Sequence, residues 1–211
     1  MKTTNKLILA LGLLTSATAI QAQTTTTAST PAGLLGAQYT ELEFGVQDIK
    51  RISNNAYSLT ASANTAVVAG KLDGGASYSY SRIGGAVRGH SNTIGGYFTA
   101  YAPLNGVKPF VSAGLGWEWS SYRFVGSDDQ ALWGGAVGVE IPAGVVTITP
   151  RISYADDFEG SRKSSQAWTY AVEANHWFNK STAVFASIGK SDVTRSPIDS
   201  WNYSIGLRAR F

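Results

Sequence analysis

Apolar and polar residues alternate along the chain with a period of two from about Leu35 to the C-terminus. The alternation is clearest in residues 201–211, where odd positions are apolar and even positions are Asn, Ser, Gly or Arg. Successive side chains of a β-strand point to opposite faces, so this pattern predicts half-buried strands and not helices. Ten segments follow it, at 37–49, 56–67, 72–82, 92–103, 108–121, 131–141, 145–155, 166–177, 181–190 and 200–211.

The connections between these segments alternate between short turns and longer polar loops. Short turns on one rim and long loops on the other are typical of a transmembrane barrel, whose tilted strands need about 9–11 residues to cross the bilayer. We therefore predict an all-β fold, a closed antiparallel up-and-down transmembrane β-barrel of ten strands, with eight strands as the alternative. The short turns are expected at 69–71, 104–107, 142–144 and 179–180, and the loops at 50–55, 83–91, 122–130, 156–165 and 191–199.

Two details of this pattern concern single segments. Asn105 and Gly106 predict a tight hairpin turn, because both residue types tolerate positive φ. The fourth segment leaves two orientations open, since either Ile94 and Phe98 or Tyr97 and Tyr101 could face outward.

The N-terminal residues differ from the rest of the chain. Two lysines, an apolar run at 7–14 and small residues ending at Ala22 are typical of a secretory signal peptide over residues 1–22. The apolar run is too short for a spanning helix, which needs about 20 residues. Residues 23–35 are rich in Thr and are expected to form a solvated periplasmic lead-in. Residues 36–211 would then form the barrel.

Composition agrees with a chain that has one lipid face and one polar face. Charged residues make up 15% of the chain, against about 25% in typical soluble domains. There is no cysteine, so no disulfide can hold the fold together. The basic residues are scattered and form no patch that could follow a phosphate backbone, and we therefore expect no nucleic-acid partner.

The chemistry of the two faces favours a membrane barrel over the alternative, a soluble secreted barrel. One face is built from Leu, Val, Ile and aromatic residues, and the other mostly from Gly, Ser, Thr and Ala. Aromatic residues also gather at the strand ends next to the long loops, as in an interfacial girdle. The girdle is predicted to comprise Tyr80, Trp117, Trp119, Trp133, Tyr154, Trp168, Trp201 and Tyr203.

Two stretches carry a resemblance to a known family. The alternating last strand that ends at Phe211 resembles the assembly signal of outer-membrane barrels. Residues 109–117, Pro-Phe-Val-Ser-Ala-Gly-Leu-Gly-Trp, resemble the central strand of the small outer-membrane β-barrel domain family. The likeness covers roughly residues 36–211, and the family includes adhesins, stability proteins and many members of unknown role.

The resemblance implies a location and a set of partners. The protein would reside in the outer membrane after export and signal cleavage, as a monomer in contact with lipid and lipopolysaccharide. The barrel-assembly machinery, with periplasmic chaperones, would act during biogenesis and recognise Leu207, Ala209 and Phe211. Loop cations are candidates for lipopolysaccharide phosphates; they are Arg82, Arg88, Arg123, Arg162, Lys163, Lys190 and Arg195.

Charged residues on the inward face predict an ion-pair network in the lumen. The first strand must pair with the last to close the barrel, which brings acids and arginines to similar depths. Such a network could plug the interior or form an ion path, and about ten strands lie near the size that side chains fill. The predicted members are Glu41, Glu43, Glu118, Glu140, Arg151, Glu173, Arg208 and Arg210.

The sequence gives little support for an enzyme. The chain has two histidines, His90 and His176, and it lacks the Asp-x-Asp and Asp-x-His pairs of omptin-type proteases. A His90–Ser91 pair is the one candidate for nucleophilic chemistry, and no oxyanion hole accompanies it. We expect a non-enzymatic barrel with a structural or surface-interaction role, without cofactor or metal. The alternatives are a narrow channel for ions or small solutes and, second, an outer-membrane hydrolase or acyl-modifying enzyme.

Overall fold

The computed structural model describes residues 33–49, 54–85, 88–123, 126–158, 166–194 and 199–211. They form ten antiparallel strands in up-and-down order, and β1 pairs with β10 to close the barrel. The prediction of ten strands is confirmed, and the eight-strand alternative is wrong. The strands are β1 Tyr39–Ile49, β2 Asn54–Val68, β3 Leu72–Ile83, β4 Gly89–Tyr101, β5 Lys108–Tyr122, β6 Gly126–Ala143, β7 Val146–Asp157, β8 Ala167–Trp177, β9 Thr182–Val193 and β10 Asp199–Arg210.

The predicted strand boundaries differ most at the start of β6. Residues 126–130 were expected in a loop, but they continue the ladder with β5 up to the pair Tyr122 and Gly126. Because their side chains are polar, the alternation of apolar and polar residues did not indicate this part of the strand. A hairpin arm that extends beyond the bilayer can keep its backbone paired while its side chains face water, so it needs no apolar face.

The other local predictions concern the fourth strand and the turn after it. Ile94 and Phe98 are exposed on the outer face, whereas Tyr97 and Tyr101 are buried on the inner face. The turn between β4 and β5 has positive φ at Asn105 (48°) and at Gly106 (86°), as a tight hairpin requires.

The barrel carries its apolar surface on the outside and its polar groups on the inside. Large apolar side chains along the outer face, such as Leu115, Phe98 and Ile205, are more than half exposed. The inner face is lined by Ser and Thr, several of which hydrogen-bond to one another across strands, as Thr60 does to Ser79 (2.9 Å). This is the inverse of a soluble fold and suits an outer surface in lipid. The described residues contain no helix long and apolar enough to span a bilayer.

Candidate functional site in the barrel lumen

Four charged residues meet in the half of the lumen next to the short turns, and we call them the Arg208 network. Arg208 on β10 donates from Nε to Glu41 Oε2 of β1 (2.6 Å) and from Nη1 to Glu173 Oε1 of β8 (2.7 Å). Arg151 on β7 donates from Nη1 to the other Glu173 oxygen (3.3 Å). Two arginines and two carboxylates therefore bind one another across the lumen.

The strand register explains the position of the network. Glu41 lies directly opposite Arg208 in the ladder that closes the barrel. The Phe185 ring packs against the Arg208 guanidinium at 3.8 Å, and Asn175 Oδ1 accepts a further hydrogen bond of 3.0 Å from it. The guanidinium is thus held on several sides, as a buried cation must be to offset its lost hydration.

Two of the other four predicted members have partners outside this network. Glu140 pairs with Lys108 at 2.8 Å near the short-turn end. Arg210 donates to the Gly33 carbonyl (2.6 Å) and lies over the Trp177 ring. The remaining two, Glu43 and Glu118, face the lumen at other levels, and Glu118 is deeply buried.

A short segment before β1 fills the short-turn end of the lumen, and we call residues Gly33–Gly36 the plug. The backbone N–H groups of Leu34 and Leu35 both donate to the Glu140 carboxylate, at 3.1 Å from Leu35. The Gly36 N–H donates to Asp73 Oδ2 at 2.9 Å. Carboxylates on two different strands therefore hold the plug by its backbone.

The plug also packs by its side chains. Leu34 contacts Trp177 and Ala183, and Leu35, which is 0% exposed, packs with Tyr101 and Phe110. These contacts bring side chains from both sides of the barrel against two adjacent leucines. The plug thereby occupies the short-turn end of the lumen.

The plug changes the boundary that the sequence predicted. Residues 23–35 were expected to form a solvated lead-in, but residues 33–35 lie inside the barrel. Two adjacent leucines are more stable inside the lumen than in a solvated lead-in, because the lumen removes their apolar surface from water. Gly33 and Gly36 adopt the φ values of 105° and 100° that this path of the backbone requires. The predicted signal peptide and the rest of the lead-in lie outside the described residues.

The loop-side half of the lumen contains a polar cavity above the Arg208 network. It has room for about two water molecules. Its inward-facing walls carry small and polar side chains, among them Ser58, Thr169, Ser187 and Ser204. Sequence reasoning missed this cavity, because it depends on which inward residues become neighbours across strands.

The predicted girdle lies on the outer face at the loop side. Trp133 and Tyr154 have ring centroids 5.3 Å apart, and Tyr154 and Trp168 are 4.9 Å apart, so adjacent strands carry a continuous aromatic row. Tyr154 and Trp201 are half-buried. The other members, Tyr80, Trp117, Trp119, Trp133, Trp168 and Tyr203, are exposed.

The predicted assembly residues share one face at the other end of the outer surface. Leu207, Ala209 and Phe211 all point outward, and Phe211 is 75% exposed. Three of the predicted lipopolysaccharide cations, Arg162, Lys163 and Arg195, lie outside the described residues. Among the others, Lys190 pairs with Asp192 at 2.8 Å on the outer surface.

The two side chains of the candidate nucleophilic pair lie on opposite faces of β4. His90 belongs to β4, where it is exposed and stacks on Tyr80. Ser91, the next residue, is buried on the inward face, so the two side chains point to opposite sides. The part of the chain that the structure describes has no group of three His, Asp or Glu side chains that could hold a metal ion.

These features define a ten-stranded barrel with the fold of small outer-membrane β-barrel proteins, as the sequence resemblance implied. The transport unit of the autotransporter AIDA-I from Escherichia coli is similar, with a TM-score of 0.50 at 7% identity over 98% of this chain and 99% of that chain. Neisserial surface protein A has a TM-score of 0.46 at 13% identity, covering 82% of this chain and 97% of that chain.

A third similar structure, the outer membrane enzyme PagL, has a TM-score of 0.41 at 15% identity, covering 81% of this chain and 99% of that chain. The sequence matches no protein-family model and no curated protein. Likeness at these identities concerns the fold alone. The role of the protein has to be argued from its own residues.

Proposed function

We propose that the protein is a non-enzymatic barrel of the outer membrane with a structural or surface-interaction role and a closed lumen. The observation that carries the proposal is the packing of the plug and of the Arg208 network in the short-turn half of the lumen. An ion path through the barrel would have to pass both. The plug leucines are buried among aromatic side chains, and the four network charges neutralise one another.

The outer face supports residence in the outer membrane. Its apolar band would contact lipid, and the girdle would sit at the interface on the loop side. We assign lipopolysaccharide as a partner of the loop cations. The barrel-assembly machinery would be the partner that recognises Leu207, Ala209 and Phe211 during biogenesis. Periplasmic chaperones would escort the exported chain after removal of residues 1–22, and the mature protein would be a monomer.

The absence of enzymatic activity belongs to the same proposal. A serine nucleophile needs a general base within hydrogen-bond reach, and His90 and Ser91 point to opposite sides of the barrel wall. The proposal is wrong on this point if purified, folded protein hydrolyses an ester or lipid substrate and His90→Ala abolishes that activity.

Single-channel conductance of the refolded protein in a planar bilayer tests the closed lumen. Altered gel mobility without boiling first establishes that the barrel has folded. We expect no discrete steps from the full mature chain, and conducting events from a variant that lacks residues 23–36 and also carries Arg208→Ala, because an ion has to pass both obstacles. Discrete steps from the full chain that change in Arg151→Ala would overturn the proposal in favour of a narrow channel.

A further inference from the structure

The outer face of β3 and β4 carries polar and charged side chains directly beyond the aromatic girdle. Arg82 on β3 is the register partner of His90 on β4, and His90 has Ser121 of β5 on its other side. The next outward row toward the lipid contains the girdle residues Tyr80 and Trp119. Two residues of a strand span about 6.5 Å, so the row of Arg82 and His90 lies at the level of the lipid headgroups when the girdle occupies the membrane interface.

Two arginines flank the imidazole of His90, and we call Arg82, Arg88 and His90 the His90 patch. Opposite residues of antiparallel strands have Cβ atoms about 4.5–5.5 Å apart, which places Arg82 beside His90. The His90 ring stacks on Tyr80, with the ring centroids 6.2 Å apart. Arg88 is exposed two residues before His90, and its carbonyl oxygen accepts a hydrogen bond of 3.0 Å from the Arg123 N–H. Long arginine side chains on two sides of a stacked ring can reach one anion together.

No acidic side chain within the described ranges neutralises the His90 patch. Neither of its arginines forms an ion pair there, and His90 forms none either. Between Asp48 and Asp128 the sequence contains two acids, Asp73 and Glu118, and both are buried inside the barrel. The outer surface of this part of the barrel is therefore positively charged.

The opposite side of the barrel has the reverse balance of charge. Lys190 on β9 also lies on the outer face toward the loops, but its ammonium group contacts Asp192 at 2.8 Å and Asp199 at 3.9 Å. Two carboxylates surround this single cation. Of the loop cations, those of the His90 patch are therefore better placed than Lys190 to bind an anion.

We propose that the His90 patch binds a phosphate group of lipopolysaccharide, an inference that rests on the assignment of lipopolysaccharide in the proposed function. The two guanidinium groups bind phosphate oxygens, because the fork of N–H donors in arginine matches phosphate geometry. His90 and Ser121 supply further hydrogen-bond donors. Farther along β4, Ile94 and Phe98 are more than half exposed and offer a surface for the acyl chains of the same lipid.

The test is lipid binding by the refolded mature protein in neutral detergent micelles. Native mass spectrometry measures the affinity for lipid A, the phosphorylated lipid portion of lipopolysaccharide, and for its dephosphorylated form. We expect the phosphorylated form to bind more tightly. Inorganic phosphate is added as a competitor, and it should displace little lipid A because the acyl chains contribute to binding.

Two variants that each remove one positive charge localise the effect. Arg82→Gln should weaken the binding of phosphorylated lipid A about tenfold, which corresponds to about 1.4 kcal/mol, and adding Arg88→Gln should weaken it further. Lys190→Gln is the matched control, because Lys190 is an outer-face cation already paired with carboxylates. This control should change the affinity by no more than about threefold. Gel mobility without boiling establishes that each variant has folded.

Three results would overturn the proposal. Phosphate-dependent binding that is unchanged in the double variant Arg82→Gln and Arg88→Gln would place the site elsewhere and leave lipopolysaccharide as a partner. Equal binding of both lipid forms by the unmodified protein would remove that partner together with the site. Full displacement of lipid A by an equal concentration of inorganic phosphate would mean that the patch takes free phosphate.

Discussion

The short-turn half and the loop-side half of the lumen use the same alternating strands but carry inward side chains of different size. The short-turn half is filled by Tyr39, Phe185 and Arg208, and the plug packs at its end. Gly45, Ser58 and Ser204 line the second and leave a polar cavity. A barrel of one strand number can therefore be filled by side chains at one level and hollow at the next, by the choice of inward residues alone.

The substitution that should destabilise the protein most is that of Arg208, whose guanidinium is buried in the short-turn half. Arg208→Ala leaves Glu41 and Glu173 without their shared partner, and breaking such a buried pair costs about 3–5 kcal/mol. We expect a loss of this size in the free energy of unfolding, measured by urea titration of the refolded barrel. Arg82→Ala, an exposed residue of β3, should change stability by less than about 0.5 kcal/mol. Equal effects of the two substitutions would contradict a structural role for the Arg208 network.

The plug leucine should give the next largest effect. Leu35 is fully buried against Tyr101 and Phe110, and a buried Leu→Ala substitution costs about 2–5 kcal/mol. Leu35→Ala should lower the urea midpoint accordingly. The matched control is Leu42→Ala on the outer face, where the leucine is half exposed in the protein. If Leu35→Ala proves no more costly than Leu42→Ala, the plug does not reside in the lumen.

The backbone path of the plug should give a smaller effect. Gly36 has a φ of 100°, which an alanine adopts only with strain of about 1–3 kcal/mol. Gly36→Ala is expected to lower the free energy of unfolding by this amount. Gly96→Ala, at a glycine without positive φ and with its nearest atom 3.7 Å from the added Cβ, should have little effect in the same urea titration.

The loop-side half should be the most tolerant. Ser187→Ala removes one hydrogen bond of 2.7 Å to Ser204, and a single such bond contributes about 0.5–1.5 kcal/mol. The cavity beside it lets water reach the remaining hydroxyl, so the loss should lie at the low end. A loss as large as that in Arg208→Ala, measured in parallel, would show that the two halves are equally well packed.

The strands were predictable from the sequence because a period of two is a local property. Each strand of the barrel has one lipid-facing side, and the apolar residues at alternate positions of each segment indicate that side. The start of β6 was missed because Ser127 and Asp128 pair their backbones without any apolar face. Alternation detects burial or lipid contact and gives no signal for a strand that has neither.

The lumen was predictable only where chain closure fixed the partners. Pairing of the first strand with the last placed Glu41 beside Arg208. The partner of Arg210 is the carbonyl of Gly33, 177 residues earlier, and Glu140 binds the backbone of the plug in addition to the Lys108 side chain. Backbone partners have no side-chain signature, so no pattern of residue types could have indicated them.

Amide hydrogen exchange of the plug tests the closed short-turn end most directly. The N–H groups of Leu35 and Gly36 are bound by Glu140 and Asp73 inside the barrel, and bound, buried amides exchange slowly. In NMR spectra of the refolded mature protein in micelles, we predict protection of both amides close to that of the β1 strand. Exchange of these two amides at the rate of a free peptide, in a barrel whose strands stay protected, would contradict the closed lumen.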